Sequence, residues 1–140
     1  MKQLFRRAAW VFLALAVCLS LSACGAKPDG ALSLTLDGRA WDGSPVSPDA
    51  DDLRVYVTLD GAPLIDLPFS EAHTLSIRQA DGSENTVVLT GATVYMESAN
   101  CENQDCVDMG EVTRENLELR VMGGFIICLP HRISVEVRGK

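Results

Sequence analysis

An all-β fold is predicted for this chain, a small single-domain sandwich or barrel of about seven to eight short strands within residues 53–140. Three observations predict it. From Leu53 onward, apolar and polar residues alternate with a period of two in one stretch after another. Turn residues, mostly Gly beside Asp, Ser, Ala or a second Gly, separate these stretches at short intervals. No long amphipathic helical pattern interrupts them, and at most a single helical turn fits around Asn103–Met109.

In order along the chain, Leu53, Val55, Val57 and Leu59 alternate with Arg54, Tyr56, Thr58 and Asp60, the pattern of a half-buried strand. Asp60-Gly61 then signals a hairpin into Pro63–Leu67. Leu75 and Ile77 alternate in the next stretch, and Asp81-Gly82-Ser83 turns into NTVVLT at 85–90. Gly91-Ala92 leads to TVYME at 93–97. Leu117, Leu119 and Val121 alternate with Glu118 and Arg120, predicting a further strand. Gly123-Gly124 turns into FIICL, and Ile133, Val135 and Val137 mark the last strand. These residues suffice for one compact core and not for two.

The N-terminus has a different character. Lys2, Arg6 and Arg7 precede an unbroken apolar run, Ala8–Leu19, followed by the small residues Ser22 and Ala23. Residues 1–23 therefore read as a secretory signal peptide, the apolar run being short for a transmembrane helix. Leu21-Ser22-Ala23-Cys24 resembles the lipobox of bacterial lipoproteins. That resemblance implies cleavage before Cys24, a diacylglyceryl group on its thiol, and anchorage to a membrane from outside the cytoplasm. The expected location is the outer face of the cell membrane, or the outer membrane where the envelope has two.

Residues 24–52 are rich in Gly, Pro, Asp and Ser and are read mainly as the lipidated cysteine and a flexible tether. LSLTL at 32–36, with Trp41, alternates like a short strand and is the exception that could dock on the domain edge. Removing 1–23 takes three of twelve basic residues and none of nineteen acidic ones, leaving a net charge of −10 on 117 residues. So acidic a chain repels phosphate backbones, which argues against nucleic acid as a partner.

The C-terminal half carries a resemblance. NTVVLTGATVYMESANCENQDCVDMG followed by IICLPHRISVEV is similar to NusG domain II, a small β domain inserted in some NusG transcription factors and also found alone in exported bacterial proteins. The shared elements are an N-x-V strand at Asn85-Thr86-Val87, a C-x4-C-V-x-x-G element from Cys101 to Gly110, and the turn Cys128-Leu129-Pro130-His131. The chain departs from the pattern at Glu111, where a bulky aromatic is common, and in the long run Thr113–Gly124. The resemblance implies a fold and no particular activity.

Chemistry concentrates in Cys101, Cys106, Cys128 and His131, spaced C-x4-C-x21-C-x2-H. Outside the cytoplasm a disulfide among the three cysteines is the first expectation, with one thiol left over and three connectivities open. Joining Cys128 to either of the others would close twenty or more residues and stabilise by roughly 3 kcal/mol in the chain-entropy model. Reduced, buried thiols are the second reading. A Cys3His zinc site is the third, because the C-x2-H end has ligand spacing while Glu102, Asp105 and Asp108 should raise the neighbouring thiol pKa values. No cofactor other than such a zinc ion is expected.

His131 is expected to be half-exposed, and His73 has only Glu71 nearby in sequence. Glu97, Glu102, Asp105, Asp108, Glu111, Glu115 and Glu118 should form a solvated acidic face, since no calcium-loop pattern is present. The sequence offers no nucleophile–base–orienter set and no phosphate loop, so it does not read as an enzyme. The expected role is a non-catalytic binding or scaffolding module at a membrane surface, acting on an unidentified protein partner. The alternative is an accessory redox or metal-handling protein of a membrane electron-transfer system, using Cys101, Cys106 and Cys128.

Overall fold

The computed structural model describes residues 31–140, and these form ten strands and one short helix. The signal peptide expected over 1–23 and the lipidation site Cys24 lie outside the described residues. In chain order the strands are β1 (Ser33–Leu36), β2 (Arg39–Trp41), β3 (Leu53–Leu59), β4 (Ala62–Pro68), β5 (Ala72–Arg78), β6 (Glu84–Thr90) and β7 (Thr93–Ala99). The helix α1 (Asp105–Asp108) follows, then β8 (Val112–Thr113), β9 (Phe125–Cys128) and β10 (Ile133–Gly139).

Two antiparallel sheets result, β2-β1-β5-β6-β7-β8 and β4-β3-β10-β9. Alternation along each strand sends one set of side chains into a shared core. Leu75, Ile77, Val87, Leu89, Val94 and Met96 enter it from the first sheet, and Val55, Val57, Ile65, Leu67, Ile126, Val135 and Val137 from the second. The all-β prediction holds. Asp60-Gly61 makes the expected two-residue hairpin, with φ of 53° and 78° and Leu59 paired to Ala62. Both residues adopt the left-handed conformation that matches the twist of a strand pair.

Three expectations need correction. The first is the tether, because part of 24–52 is folded. Leu34 pairs with Ile77 on the edge of β5 and is buried in the core, and Asp37-Gly38 (φ 52° and 76°) turns β1 into β2. The segment after β2 is also pinned. Arg54 donates from Nη1 to the Ser47 carbonyl (2.8 Å), from Nη2 to the Val46 carbonyl (2.9 Å) and from Nε to Asp66 Oδ1 (2.8 Å).

That contact is the second correction. Arg54 has the polar position of an alternating strand, yet it is only 1 % exposed, because the 46–47 segment folds over it. A buried guanidinium survives only with its donors satisfied, and here two carbonyls and a carboxylate satisfy it.

The third concerns Leu117–Val121, which is a series of turns rather than a strand. Leu119 and Val121 point outward at 83 % and 101 % exposure. Polar side chains, those of Asn116 and Arg120, hold this segment in its coiled form. The single helical turn expected around Asn103–Met109 is present as α1. Among the described residues, no helix is long and apolar enough to cross a membrane.

Candidate functional site

Cys101, Cys106, Cys128 and His131 come together in the buried region where the end of β7, α1 and the β9–β10 turn meet. Each arrives for a local reason. Beyond β7, Asn100 ties its chain to the β5–β6 turn: its Nδ2 donates to the Gly82 carbonyl (2.9 Å) and its Oδ1 accepts from the Glu84 N–H (2.8 Å). Gln104 takes a left-handed conformation (φ 55°), and its Nε2 donates to the carbonyls of Ala99 and Cys101. This folds the loop back so that α1 starts at Asp105 and aims Cys106 inward. The Cys101 and Cys106 sulfurs lie 3.8 Å apart.

Cys128 ends β9, and the turn Leu129–Arg132 leads into β10, where Ile133 pairs back with Cys128. The C-x2-H spacing spans this turn and brings His131 to the same side. Cys101 Sγ, Cys128 Sγ and a ring nitrogen of His131 all lie within 4.8 Å of one another. His131 is buried, at 6 % exposure, and not half-exposed as expected. Two polar partners explain it: His131 Nδ1 is 2.8 Å from Asn85 Oδ1, and the His131 carbonyl accepts from Gln79 Nε2 at 2.8 Å.

No disulfide is formed among these cysteines; Cys101, Cys106 and Cys128 are free, buried thiols. The 3.8 Å between Cys101 and Cys106 sulfurs is well beyond the ~2.05 Å of a disulfide bond. Burial, then the Cys128 and Cys101 thiols lying against it, pushes the Cys106 thiol up to about 12. The sequence placed that effect on nearby carboxylates, but Glu102, Asp105 and Asp108 all face solvent. So do Glu97, Glu111, Glu115 and Glu118.

His73 meets its sequence neighbour Glu71 and also Asp37, which the sequence did not suggest. Its Nδ1 is 2.8 Å from Asp37 Oδ2 and its Nε2 is 3.3 Å from Glu71 Oε2. Asp37 also accepts the Thr74 N–H at 2.8 Å, so this group fastens the β1–β2 hairpin to β5. The Thr74 amide, and then His73, hold the Asp37 carboxyl below its usual value.

Residues Arg114–Gly124 form the second individual feature. Asn116 Oδ1 accepts the Thr113 N–H (2.8 Å) and its Nδ2 donates to the Glu111 carbonyl (3.0 Å). Arg120 donates to the Glu111 carbonyl (2.9 Å) and the Met109 carbonyl (3.0 Å). Arg114 makes a two-point pair with Asp52, 3.0 Å at each contact, and holds that carboxyl well below the usual carboxylate range. Leu119, Val121 and Met122 are thus exposed on a loop whose base is held in place.

Asn85 entered the sequence reading only through the N-x-V resemblance, and Gln79 and Arg54 were missed as buried polar residues. The partner of Gln79 and Asn85 is distant in sequence, His131 lying 52 residues from the first and 46 from the second, whereas Arg54 is covered by the nearby carbonyls of Val46 and Ser47. The Asp37-Gly38 dipeptide was a readable hairpin signal of the same kind as Asp60-Gly61.

The family model of NusG domain II matches residues 44–140. The chain is similar to several solved structures. A DUF1312 family protein from Enterococcus faecalis is 19% identical and covers 63% of this chain and 98% of its own, with a TM-score of 0.55. The Lin0431 protein from Listeria innocua is 20% identical over 63% of this chain and 97% of its own, with a TM-score of 0.53. A DUF1312 family protein from Ruminococcus gnavus is 30% identical over 62% of this chain and 99% of its own, with a TM-score of 0.49. No curated protein matches the chain.

Proposed function

The chain belongs to the NusG domain II family, and on that premise we propose that it is a lipid-anchored, extracytoplasmic, non-catalytic binding module. The observation that carries this reading is the loop at Arg114–Gly124. It exposes Leu119 and Val121 almost fully, while Asn116 and Arg120 hold its backbone through side-chain hydrogen bonds. Large apolar side chains on a fixed loop lose little conformational freedom when a partner covers them, so binding costs less.

The folded hairpin sharpens the membrane part of the proposal. From the lipobox cysteine Cys24 to Ser33, where β1 begins, is nine residues, at most about 30 Å of extended chain. The domain would therefore work close to the lipid surface, its acidic charge opposing direct contact with anionic headgroups. A redox role is the lesser reading, because the spacing is C-x4-C and not the C-x-x-C at a helix N-terminus that lowers an attacking thiol's pKa.

The test has two parts. Cys24→Ser should move the protein from the membrane fraction to the soluble extracytoplasmic fraction, and unchanged membrane retention would contradict lipid anchoring. A photoreactive residue at Val121 in the otherwise native chain should give a discrete protein adduct in intact cells that Leu119→Asp abolishes. Equal labelling with and without Leu119→Asp would remove the loop as the binding surface.

A further inference from the structure

We propose that Cys101, Cys106, Cys128 and His131 form a closed, tetrahedral Cys3His site for a zinc ion. Four ligand-type side chains converge from three separate segments, and all four are buried. The spacing of the sulfurs fits the ion: zinc–sulfur bonds of about 2.3 Å in a tetrahedron place two sulfurs about 3.8 Å apart. Cys101 and Cys106 stand at 3.8 Å. Cys128 Sγ and a ring nitrogen of His131 lie within 4.8 Å of Cys101 Sγ and of each other, so this trio is roughly 0.6 Å or less per ligand from closing on a common centre, and Cys106 joins it from the Cys101 side.

The surroundings of His131 are those of a metal-bound imidazole. Its Nδ1 is engaged by Asn85 Oδ1 at 2.8 Å, which fixes the ring and leaves Nε2 with a lone pair to donate. Asn85 is oriented in turn, since its Nδ2 lies 3.6 Å from Met96 Sδ. Gln79 holds the His131 backbone, and Gln104 holds that of Cys101. Four protein ligands with no open position describe a structural centre rather than a catalytic one. A small cleft of ≈ 30 Å³ lined by Asn103, Asp105, Cys106, Ile127, Cys128 and Pro130 reaches the thiols from outside. The acidic residues around it face solvent and would draw a cation toward it.

Binding would replace three S–H bonds by three Zn–S bonds and a lone-pair bond from His131, releasing three protons to water, with no change in oxidation state. The ion would tie α1 and the end of β7, in the six-stranded sheet, to β9 and the β9–β10 turn, in the four-stranded one.

The experiment uses the full chain purified in mild detergent without oxygen, titrated with Zn²⁺ and separately with Co²⁺ as an optical probe. One equivalent should bind, with the intense ligand-field bands of tetrahedral cobalt and a sulfur-to-metal charge-transfer band. The melting temperature should rise with zinc concentration. Cys106→Ser should weaken the charge-transfer band, and Asn85→Ala should lower affinity about 10- to 100-fold while keeping one equivalent. Because those variants could unfold, the wild-type cobalt spectrum stands as an independent reading. A folded protein with three reduced thiols and no bound equivalent would overturn the proposal. Weak octahedral, oxygen-ligated cobalt would also overturn it, by placing the ion on the acidic face, as would a Cys101–Cys106 disulfide that persists in the presence of zinc.

Discussion

Leu32–Leu36 and Leu117–Val121 carry the same alternation of apolar and polar residues, yet Leu34 is 8 % exposed while Leu119 and Val121 are 83 % and 101 % exposed. The first stretch meets a strand edge with hydrogen-bonding groups to spare, β5, and pairs with it from Ser33–Arg78 to Leu36–Leu75. The second has no such edge. Beside it, the outer edge of β9 is occupied by Met109, whose sulfur accepts the Ile127 N–H at 3.3 Å. The loop's own backbone is engaged by turns, with the Leu119 and Arg120 N–H groups donating to the Asn116 carbonyl. A period of two therefore says which side chains could share a face. Whether a strand forms depends on an available edge, which lies elsewhere in the chain.

The loop is most sensitive at Gly124, where it returns to β10. A Cβ there would stand 2.1 Å from the Val137 carbonyl oxygen, in a place where Gly124 itself accepts the Val137 N–H. Gly124→Ala should cost about 3 kcal/mol or more and lower the melting temperature accordingly. An unchanged melting temperature would mean that the loop does not close on β10 in this way.

Next in size is a matched pair of truncations. Leu34→Ala should destabilise by about 2–3 kcal/mol in chemical denaturation, as for a buried leucine. Leu119→Ala should stay within about 0.5 kcal/mol of the parent, as for an exposed residue. Equal effects would erase the distinction between the two regions.

Asn116→Ala should cost about 1–2 kcal/mol, since Thr113 N–H and the Glu111 carbonyl lose their side-chain partner. Faster hydrogen exchange confined to Val112–Arg120, with the sheets unaffected, is the expected readout. A global loss of protection would contradict a locally held loop.

The smallest effect concerns the hairpin and pH. Asp37 is ionised more readily folded than unfolded, so its contribution is present above the ordinary carboxylate value of 3.8 and is lost as pH falls through the lower folded value. The Thr74 amide, which donates to Asp37, should lose exchange protection in that acid range, and Asp37→Asn should remove the pH dependence. A Thr74 amide that behaves identically in both proteins would remove Asp37 as the fastener of the hairpin.

Strands β3 to β7, β9 and β10 were readable because each joins alternation to a turn signal that positions its neighbour. The β1–β2 hairpin carried the same signal, Asp37-Gly38, but its surroundings are Gly-, Pro- and Asp-rich, and composition outweighed it. In the site, C-x4-C and C-x2-H were visible as spacings because a loop and a turn bring each pair together locally. The junction of the two pairs, and the buried supports Gln79 and Asn85, depend on contacts between segments far apart in sequence. No local pattern announces such contacts. An extracytoplasmic address favours a disulfide, whereas the sulfur spacing follows from how Gln104 and α1 fold.

One measurement reads the state of Cys101, Cys106 and Cys128 directly. The full chain is alkylated while folded and again, with a second reagent and a chelator, after unfolding without reductant, and each of the three cysteines is followed by peptide mass. Buried free thiols predict that all three escape the first reagent and take the second. A pair that takes neither reagent until reductant is added would be a disulfide and would contradict the free-thiol cluster, and labelling of the folded protein would contradict its burial.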